Sequence, residues 1–144
     1  MSETDALQTT LAAEHAAVYV YGVLGGRTSR SAERATYDAI SSAYDAHRAR
    51  RDQLAGDLRD AGADPVAAEA AYEVAGPIVT VDQITRAARA VEESCAATYS
   101  WLVAETTADL RHWAIQALNE TAVRVLTLRG TPETFPGVGE YADR

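Results

Sequence analysis

The chain of 144 residues is long enough for one domain with its own hydrophobic core, and we expect a single domain over residues 1–144. Its formal net charge of −8 argues against nonspecific binding to nucleic acid or anionic membranes, because such binding needs an excess of positive charge. The single cysteine, Cys95, excludes a disulfide bond within the chain. With no secretory signal pattern and no apolar stretch of about 20 residues, the sequence favours a cytoplasmic protein without a membrane span.

Four segments have the spacing of amphipathic helices, with apolar residues at alternating steps of three and four. The predicted helices run from about Thr4 to Gly25, from about Ser31 to Ala61, from Thr80 or Asp82 to a turn at 106–109, and from that turn to about Leu128. The tail from about residue 130 is predicted to be extended, with Phe135 as its apolar anchor.

The connection between helices two and three decides the topology. The segment from Gly62 to Thr80 shows no sustained helical pattern, and its roughly 18 residues can reach on the order of 60 Å when extended. Helix two, with about 30 residues, is roughly 45 Å long. The linker can therefore cross the whole bundle, which predicts an all-α, ferritin-like four-helix bundle with one long crossover between helices two and three. A simple up-and-down bundle stays open, because such a loop can also fold back locally.

Several charged side chains are predicted to face the interior at the middle of their helices. Glu14 lies near the centre of the apolar stripe of helix one, and His47 and Arg51 lie almost centrally on helix two. Glu92 lies about 80° from the stripe of helix three. Mid-helix positions of a bundle meet at one level, and isolated buried charges survive by pairing or by binding a metal. These four side chains are therefore predicted to form one buried polar cluster.

The motifs of the chain resemble those of a known family. They are ALQTTLAAEHAAVYVYG, AYDAHRARRDQLAGDLRDAGADPVAAEAAYE, VEESCAATYSWL, and TAVRVLTLRG followed by FPG. Together they are similar to the actinobacterial ferritin-like family of unknown function, the domain-of-unknown-function family 4439, over nearly the whole chain. The resemblance implies a ferritin-like four-helix bundle and, since the function of that family is unassigned, no activity.

A ferritin-like di-iron site needs more ligands than the sequence offers. Such sites take one carboxylate from each of two helices and a Glu-x-x-His pair from each of the other two. Glu14 and Glu92 match the two carboxylates and His47 matches one histidine. Tyr44 stands where the motif of helix two would begin, and helix four offers only Thr121 near the centre of its stripe. Three of the six ligands are therefore plausible.

Arg51 favours a salt-bridge cluster over a metal site. A guanidinium cannot lose its proton, so it repels divalent ions while it satisfies carboxylates. We therefore expect a structural cluster with no metal or cofactor. The alternative is a mononuclear site or a residual di-iron or manganese site formed by Glu14, His47 and Glu92.

Other chemically capable side chains have structural interpretations. Asp109 and His112 have the metal-ligand spacing, but they are predicted to point away from the apolar side of helix four. His15 is predicted to be half-buried and bonded to a neighbouring helix. Cys95 is predicted to fill the core rather than to act as a nucleophile, because no histidine is near it in the pattern.

The leading hypothesis for function is a non-enzymatic binding or interaction module with a degenerate metal site and no catalytic residue. The rivals are a metal-binding protein and a small-molecule binder with a tyrosine-lined cavity. A homodimer through a helical face is also predicted, because apolar side chains outside the inward stripes leave area that monomers seldom expose. These side chains are Tyr19, Val20, Trp101 and Trp113.

Overall fold

The computed structural model describes residues 2–129, which form four α-helices and contain no strand. The helices are α1 (Glu3–Arg27), α2 (Arg34–Asp60), α3 (Val81–Glu105) and α4 (Ala108–Arg129). The protein is therefore all-α, as the apolar spacing predicts. The predicted extended tail and its anchor Phe135 lie outside the described residues.

Two of the helices begin with a capping box, in which two side chains satisfy free N–H groups of the first turn. At α1 the Ser2 hydroxyl accepts from the Asp5 N–H, and the Asp5 carboxylate accepts from the Ser2 N–H at 2.9 Å. At α3 Thr80 and Gln83 exchange the same pair of bonds. The start of α3 is therefore fixed by its own sequence, at the end of a segment without regular secondary structure.

The boundaries differ from the sequence prediction at two places. α1 continues through Gly25 to Arg27, because glycine lowers helix propensity without forbidding the helical conformation, and Gly25 packs close to Ile40 of α2. α2 begins at Arg34 rather than at Ser31, since the residues before it form a separate turn. Neither shift moves the middle of a helix.

Two antiparallel pairs build the bundle. α1 packs against α2 and α3, and α3 packs against α4. Gly22 lies beside Tyr44 and Glu14 lies beside His47, so α1 and α2 run in opposite directions. α3 and α4 are joined by only the two residues 106–107 and form the second hairpin.

The segment between α2 and α3 runs along α1 and connects the two pairs. Gln8, near the start of α1, accepts from the backbone N–H of Val66 at 2.8 Å. Tyr72 packs on Tyr19 with 5.6 Å between ring centroids, and Ile78 packs against residues near the end of α1. The crossover that the linker length predicts is therefore present, and the up-and-down alternative is wrong. One long crossover is the connectivity of ferritin-like folds, with which this arrangement is consistent.

Apolar side chains fill the two ends of the bundle. The cluster at the end where α1 begins, the lower cluster, contains Ala6, Leu7, Leu11, Leu54, Leu58, Leu102 and Ala114. The cluster at the end where α1 finishes, the upper cluster, contains Val20, Tyr21, Leu24, Ile40, Ala43, Ile84, Ala87 and Ala88. The middle of the bundle buries charged side chains instead, which are Glu14, His47, Arg50 and Glu92.

The outer surface differs in part from the one that the sequence predicts. Val20 is only 4% exposed because it belongs to the upper cluster, so its predicted exposure is wrong. Tyr19 is 36% exposed and packs on Tyr72 of the crossover. Trp101 and Trp113 are half-buried against the lower cluster. Within residues 2–129 no helix has both the length and the apolar character that crossing a bilayer would require.

Candidate functional site

A network of charged and hydroxyl side chains occupies the centre of the bundle. The members of this central network are Glu14, Tyr21, His47, Arg50, Glu92, Tyr99, Thr121 and Arg124. They come from all four helices, and each lies near the middle of its helix or within a few turns of it.

His47 lies between two carboxylates. Its Nδ1 is 2.7 Å from Glu14 Oε2, and its Nε2 is 3.1 Å from Glu92 Oε1. All three side chains are 0% exposed. An ionised carboxylate can only accept, so with both carboxylates ionised each ring nitrogen must donate, which is the hydrogen-bonding pattern of an imidazolium. The structure therefore brings together three of the four residues of the predicted cluster, Glu14, His47 and Glu92.

The electrostatics of the centre favour the charged forms. Burial by itself lowers the pKa of His47, but the hydrogen bonds and negative charges of Glu14 and Glu92 outweigh it and raise that pKa. Burial likewise raises the pKa of Glu92, but the His47 hydrogen bond and charge, with smaller contributions from Tyr21 and Arg124, lower it below its ordinary value. His47 and Glu92 thus stabilise each other's charged form.

Two buried tyrosines complete the coordination of the carboxylates. The Tyr21 hydroxyl donates to Glu92 Oε1 at 2.6 Å, and the Tyr99 hydroxyl donates to Glu14 Oε1. The Tyr21 ring also stacks on the His47 ring, with 5.3 Å between centroids. Burial and the nearby carboxylates raise the pKa of both phenols well above the ordinary value, so both remain donors. Sequence reasoning did not include either tyrosine in the predicted cluster.

Arg50 links α2 to α4 across the centre and is only 6% exposed. Its Nη1 donates to the Tyr99 hydroxyl at 3.2 Å and to Thr121 Oγ1 at 3.0 Å. Its Nη2 donates to the Ala117 carbonyl at 3.3 Å and to Glu120 Oε2 at 2.6 Å. The guanidinium therefore reaches the Glu14 carboxylate indirectly, through the hydroxyl of Tyr99.

The predicted place of Arg51 in the cluster is wrong. Its guanidinium donates to Asp52 Oδ1 at 2.6 Å, and its side chain is 27% exposed. Positions 50 and 51 lie on opposite flanks of the inward line of α2. The flank of Arg50 faces α4, where Ala117 and Thr121 are small and leave room for a guanidinium. The stripe of one helix gives the inward direction, but it does not show which neighbour lies on each flank.

A second arginine, which sequence reasoning missed, borders the network. Arg124 Nη1 lies 3.8 Å from Glu92 Oε2, and neither atom has a hydrogen-bond partner among the described residues. The only signal in the sequence is its position one turn after Thr121 on α4. One carboxylate oxygen of Glu92 is thus paired by charge alone.

Three other predicted positions lie away from the centre or at its edge. His15 is half-buried and its Nε2 lies 3.0 Å from the Val66 carbonyl, so its partner is the crossover and not a neighbouring helix. Asp109 and His112 are exposed, as the stripe of helix four predicts. These two residues therefore contribute nothing to the central network.

Cys95 lies beside the centre. It is buried, which confirms its core position, and burial raises the pKa of its thiol well above the ordinary value. Its sulfur and one ligand atom each of Glu14 and His47 lie within 4.8 Å of one another. The sequence prediction that no histidine is near Cys95 is wrong, because spacing along one helix does not show what the facing helix presents.

The donor set does not fit a di-iron centre. α2 supplies His47 but has Tyr44 where a carboxylate would be required. α4 presents Ala117 and Thr121 toward the centre, and the Arg50 guanidinium occupies the space between them and Tyr99. A permanent cation at this place would oppose two divalent ions.

Known proteins similar to this chain carry no assigned activity. The family described as "Domain of unknown function (DUF4439)" matches residues 6–140. The crystal structure of a conserved hypothetical protein, rv2844, from Mycobacterium tuberculosis is similar with a TM-score of 0.81 and 28% sequence identity, over 89% of this chain and 95% of that chain. No curated protein matches the chain. The chain belongs to the DUF4439 family of unknown function, which confirms the resemblance of its motifs.

Proposed function

We propose that this protein is a single-domain, non-enzymatic ferritin-like bundle that acts as a binding or interaction module. In it an internal salt-bridge network stands where a ferritin-like protein would hold two metals. The observation that carries this proposal is His47, whose two ring nitrogens each face a buried carboxylate. While both nitrogens are protonated the ring offers no lone pair, so a metal can bind only by displacing a ring proton.

The charges of the network support the same proposal. Glu14 and Glu92 are balanced by three cationic side chains, His47, Arg50 and Arg124, and the surface carboxylate of Glu120 pairs with Arg50. Buried charges survive when they are paired and hydrogen-bonded, and here the pairing comes from the chain itself. Two added divalent ions would leave a large excess of positive charge.

The alternative is a mononuclear or residual di-iron or manganese site formed by Glu14, His47 and Glu92. The observation in its favour is that these three side chains are in contact. Thermal unfolding with chelator, with Fe²⁺ and with Mn²⁺ separates the two functions, because a metal that binds only the folded state raises the melting temperature. We expect the same melting temperature in all three conditions. A rise with iron or manganese in the wild type that is absent in Glu14→Gln would establish the alternative.

The interaction surface that we propose is the outer face of α4. Ile115 and Leu126, 41% and 39% exposed, lie eleven residues apart and so on one face of the helix, and Val123 beside them is 62% exposed. We propose a homodimer through this face, in a cytoplasmic protein whose one cysteine stays reduced. Light scattering should give a dimer mass for the wild type and a monomer mass for Val123→Glu. A monomer mass of the wild type at micromolar concentration would contradict it.

A further inference from the structure

We propose that the central network is also a site for one thiophilic divalent cation of the Zn²⁺ type, with Glu14, His47 Nδ1 and Cys95 as ligands. The ligand atoms of these three side chains already lie within 4.8 Å of one another. Ligands bound tetrahedrally at about 2.0–2.3 Å from one zinc ion lie about 3.3–3.6 Å apart, so binding requires side-chain shifts of about 1 Å. This proposal rests on the proposed function, because it takes the metal-free salt-bridge network as the state of the site before the cation binds.

The outer partners of such a site are already in place. If Nδ1 of His47 binds the cation, its Nε2–H continues to donate to Glu92 Oε1, now 3.1 Å away. A histidine ligand held by a carboxylate at its other nitrogen is the usual arrangement around protein-bound metals. Tyr99 donates to Glu14 Oε1 and leaves Glu14 Oε2 to face the ring. Both the ring and the carboxylate are therefore oriented before any cation arrives.

The exchange of charge is balanced for one divalent cation. Binding removes one proton from His47 Nδ1 and one from the Cys95 thiol, because both must be unprotonated as ligands. Two positive charges enter and two protons leave, so the net charge of the site does not change. Arg50 and Arg124 then remain as well compensated as before. A pair of divalent ions would lack this balance.

The donor types select the cation. A thiolate and an imidazole favour Zn²⁺ and similar soft or borderline ions, whereas Mg²⁺, Ca²⁺ and Mn²⁺ prefer oxygen ligands. The di-iron pattern of ferritin-like folds uses no thiol, so Cys95 makes this site different from it. The proposed site, with its thiol ligand, therefore favours zinc. The alternative site of Glu14, His47 and Glu92 would take iron or manganese instead.

A cleft leads from the surface to Cys95. It has a volume of about 190 Å³ and lies between α1, α3 and the crossover. Alanines 13, 16 and 17 line it from α1 together with Val20, and the acidic Glu73 lines it from the crossover. The lining of this cleft therefore includes an acidic side chain as well as Cys95.

Cobalt titration of the full chain tests the proposal, since Co²⁺ reports a thiolate ligand by a charge-transfer band in the near ultraviolet. We expect this band in the wild type, its loss on addition of Zn²⁺, and its absence in Cys95→Ser. Glu92→Gln should retain the band and weaken the affinity about 10- to 100-fold, as removal of an outer partner does. His112→Gln, which changes an exposed histidine, should match the wild type.

The outcomes are distinguishable from those of the proposed function. Absence of any band in the folded wild type, or an unchanged band in Cys95→Ser, overturns the cation site and leaves the metal-free network in place. X-ray absorption of the zinc-loaded wild type gives the same answer without a variant, because the site requires one sulfur neighbour. A rise in melting temperature with iron or manganese alone would instead contradict the proposed function.

Discussion

The ends of the bundle and its centre are built from different side chains at the same depth. Leu54 and Leu58 in the lower cluster are as fully buried as Glu14, His47 and Glu92 in the middle. Burial of apolar surface contributes about 25 cal/mol per Å² to stability, whereas a buried ion pair seldom improves on apolar residues of the same volume. The ends therefore stabilise the fold, and the centre is held in place by them. The apolar clusters thus provide most of the folding stability, and the central network provides the titratable groups.

Removal of the positively charged His47 ring should have the largest effect on stability. His47→Met leaves Glu14 and Glu92 facing each other without the imidazolium, and such a loss typically costs about 3–5 kcal/mol. The additional changes Glu14→Gln and Glu92→Gln should restore part of this loss, because they remove both unpaired carboxylates, while Arg124 loses its charge partner Glu92. Urea unfolding of the single and triple variants in chelator measures both effects. A triple variant no more stable than His47→Met would show that the charges are not the cause.

Truncation in the lower cluster should destabilise through a different mechanism. Leu54→Ala leaves a cavity among apolar neighbours and should cost about 2–5 kcal/mol. Because Leu54 packs in the lower cluster and Glu92 lies in the central network, the effects of Leu54→Ala and Glu92→Gln should add in the double variant. Chemical unfolding of the two single variants and the double variant tests this. Strong coupling between the sites would contradict the separation of ends from centre.

Substitution of the two neighbouring residues Arg50 and Arg51 should reduce stability by different amounts. Arg50→Met removes donors from Tyr99 and Thr121 and should cost about 1–3 kcal/mol. Arg51→Met removes an exposed contact with Asp52 and should cost less than about 1 kcal/mol. Thermal unfolding of both variants under one condition compares them directly. Equal effects would mean that the guanidinium of Arg50 is not part of the network.

The pH dependence of folding stability should also distinguish the central network from the apolar clusters at the two ends of the bundle. The pKa of His47 is raised in the folded state, so its contribution is complete below the ordinary value of 6.5 and is lost as the pH rises through the folded pKa. The pKa of Glu92 is lowered, so its contribution is present above 4.5 and is lost as the pH falls through the folded pKa.

A pH series of melting temperatures in chelator measures these contributions. The wild type and Leu54→Ala should both lose stability from pH 6.5 upward, with curves of the same shape. His47→Gln should lack this alkaline fall, because no ring proton is then released. An alkaline fall of the same size in His47→Gln would assign it to another group.

The sequence predicts the helices and the crossover because these depend on local spacing and on chain length. It also points to Glu14 and His47, since a charged residue within an apolar stripe has to be accommodated in the interior, whereas Glu92 is included only because it lies at the same level of the bundle. It does not distinguish Arg50 from Arg51, because both flank the inward line and only the position of α4 decides between them. The proximity of Cys95 to His47 is not predictable for the same reason, as it depends on how α2 and α3 face each other.

The protonation of the His47 ring tests the central claim most directly. Nitrogen-15 NMR of the metal-free protein at neutral pH can report both ring nitrogens, and only two other histidines, His15 and His112, need to be assigned beside it. The network predicts that Nδ1 and Nε2 of His47 both carry a proton, with shifts of an imidazolium, while His15 and His112 provide references in the same spectrum. A neutral His47 ring with one unprotonated nitrogen would contradict the account, because an ionised carboxylate then could not face each nitrogen with a donor between them.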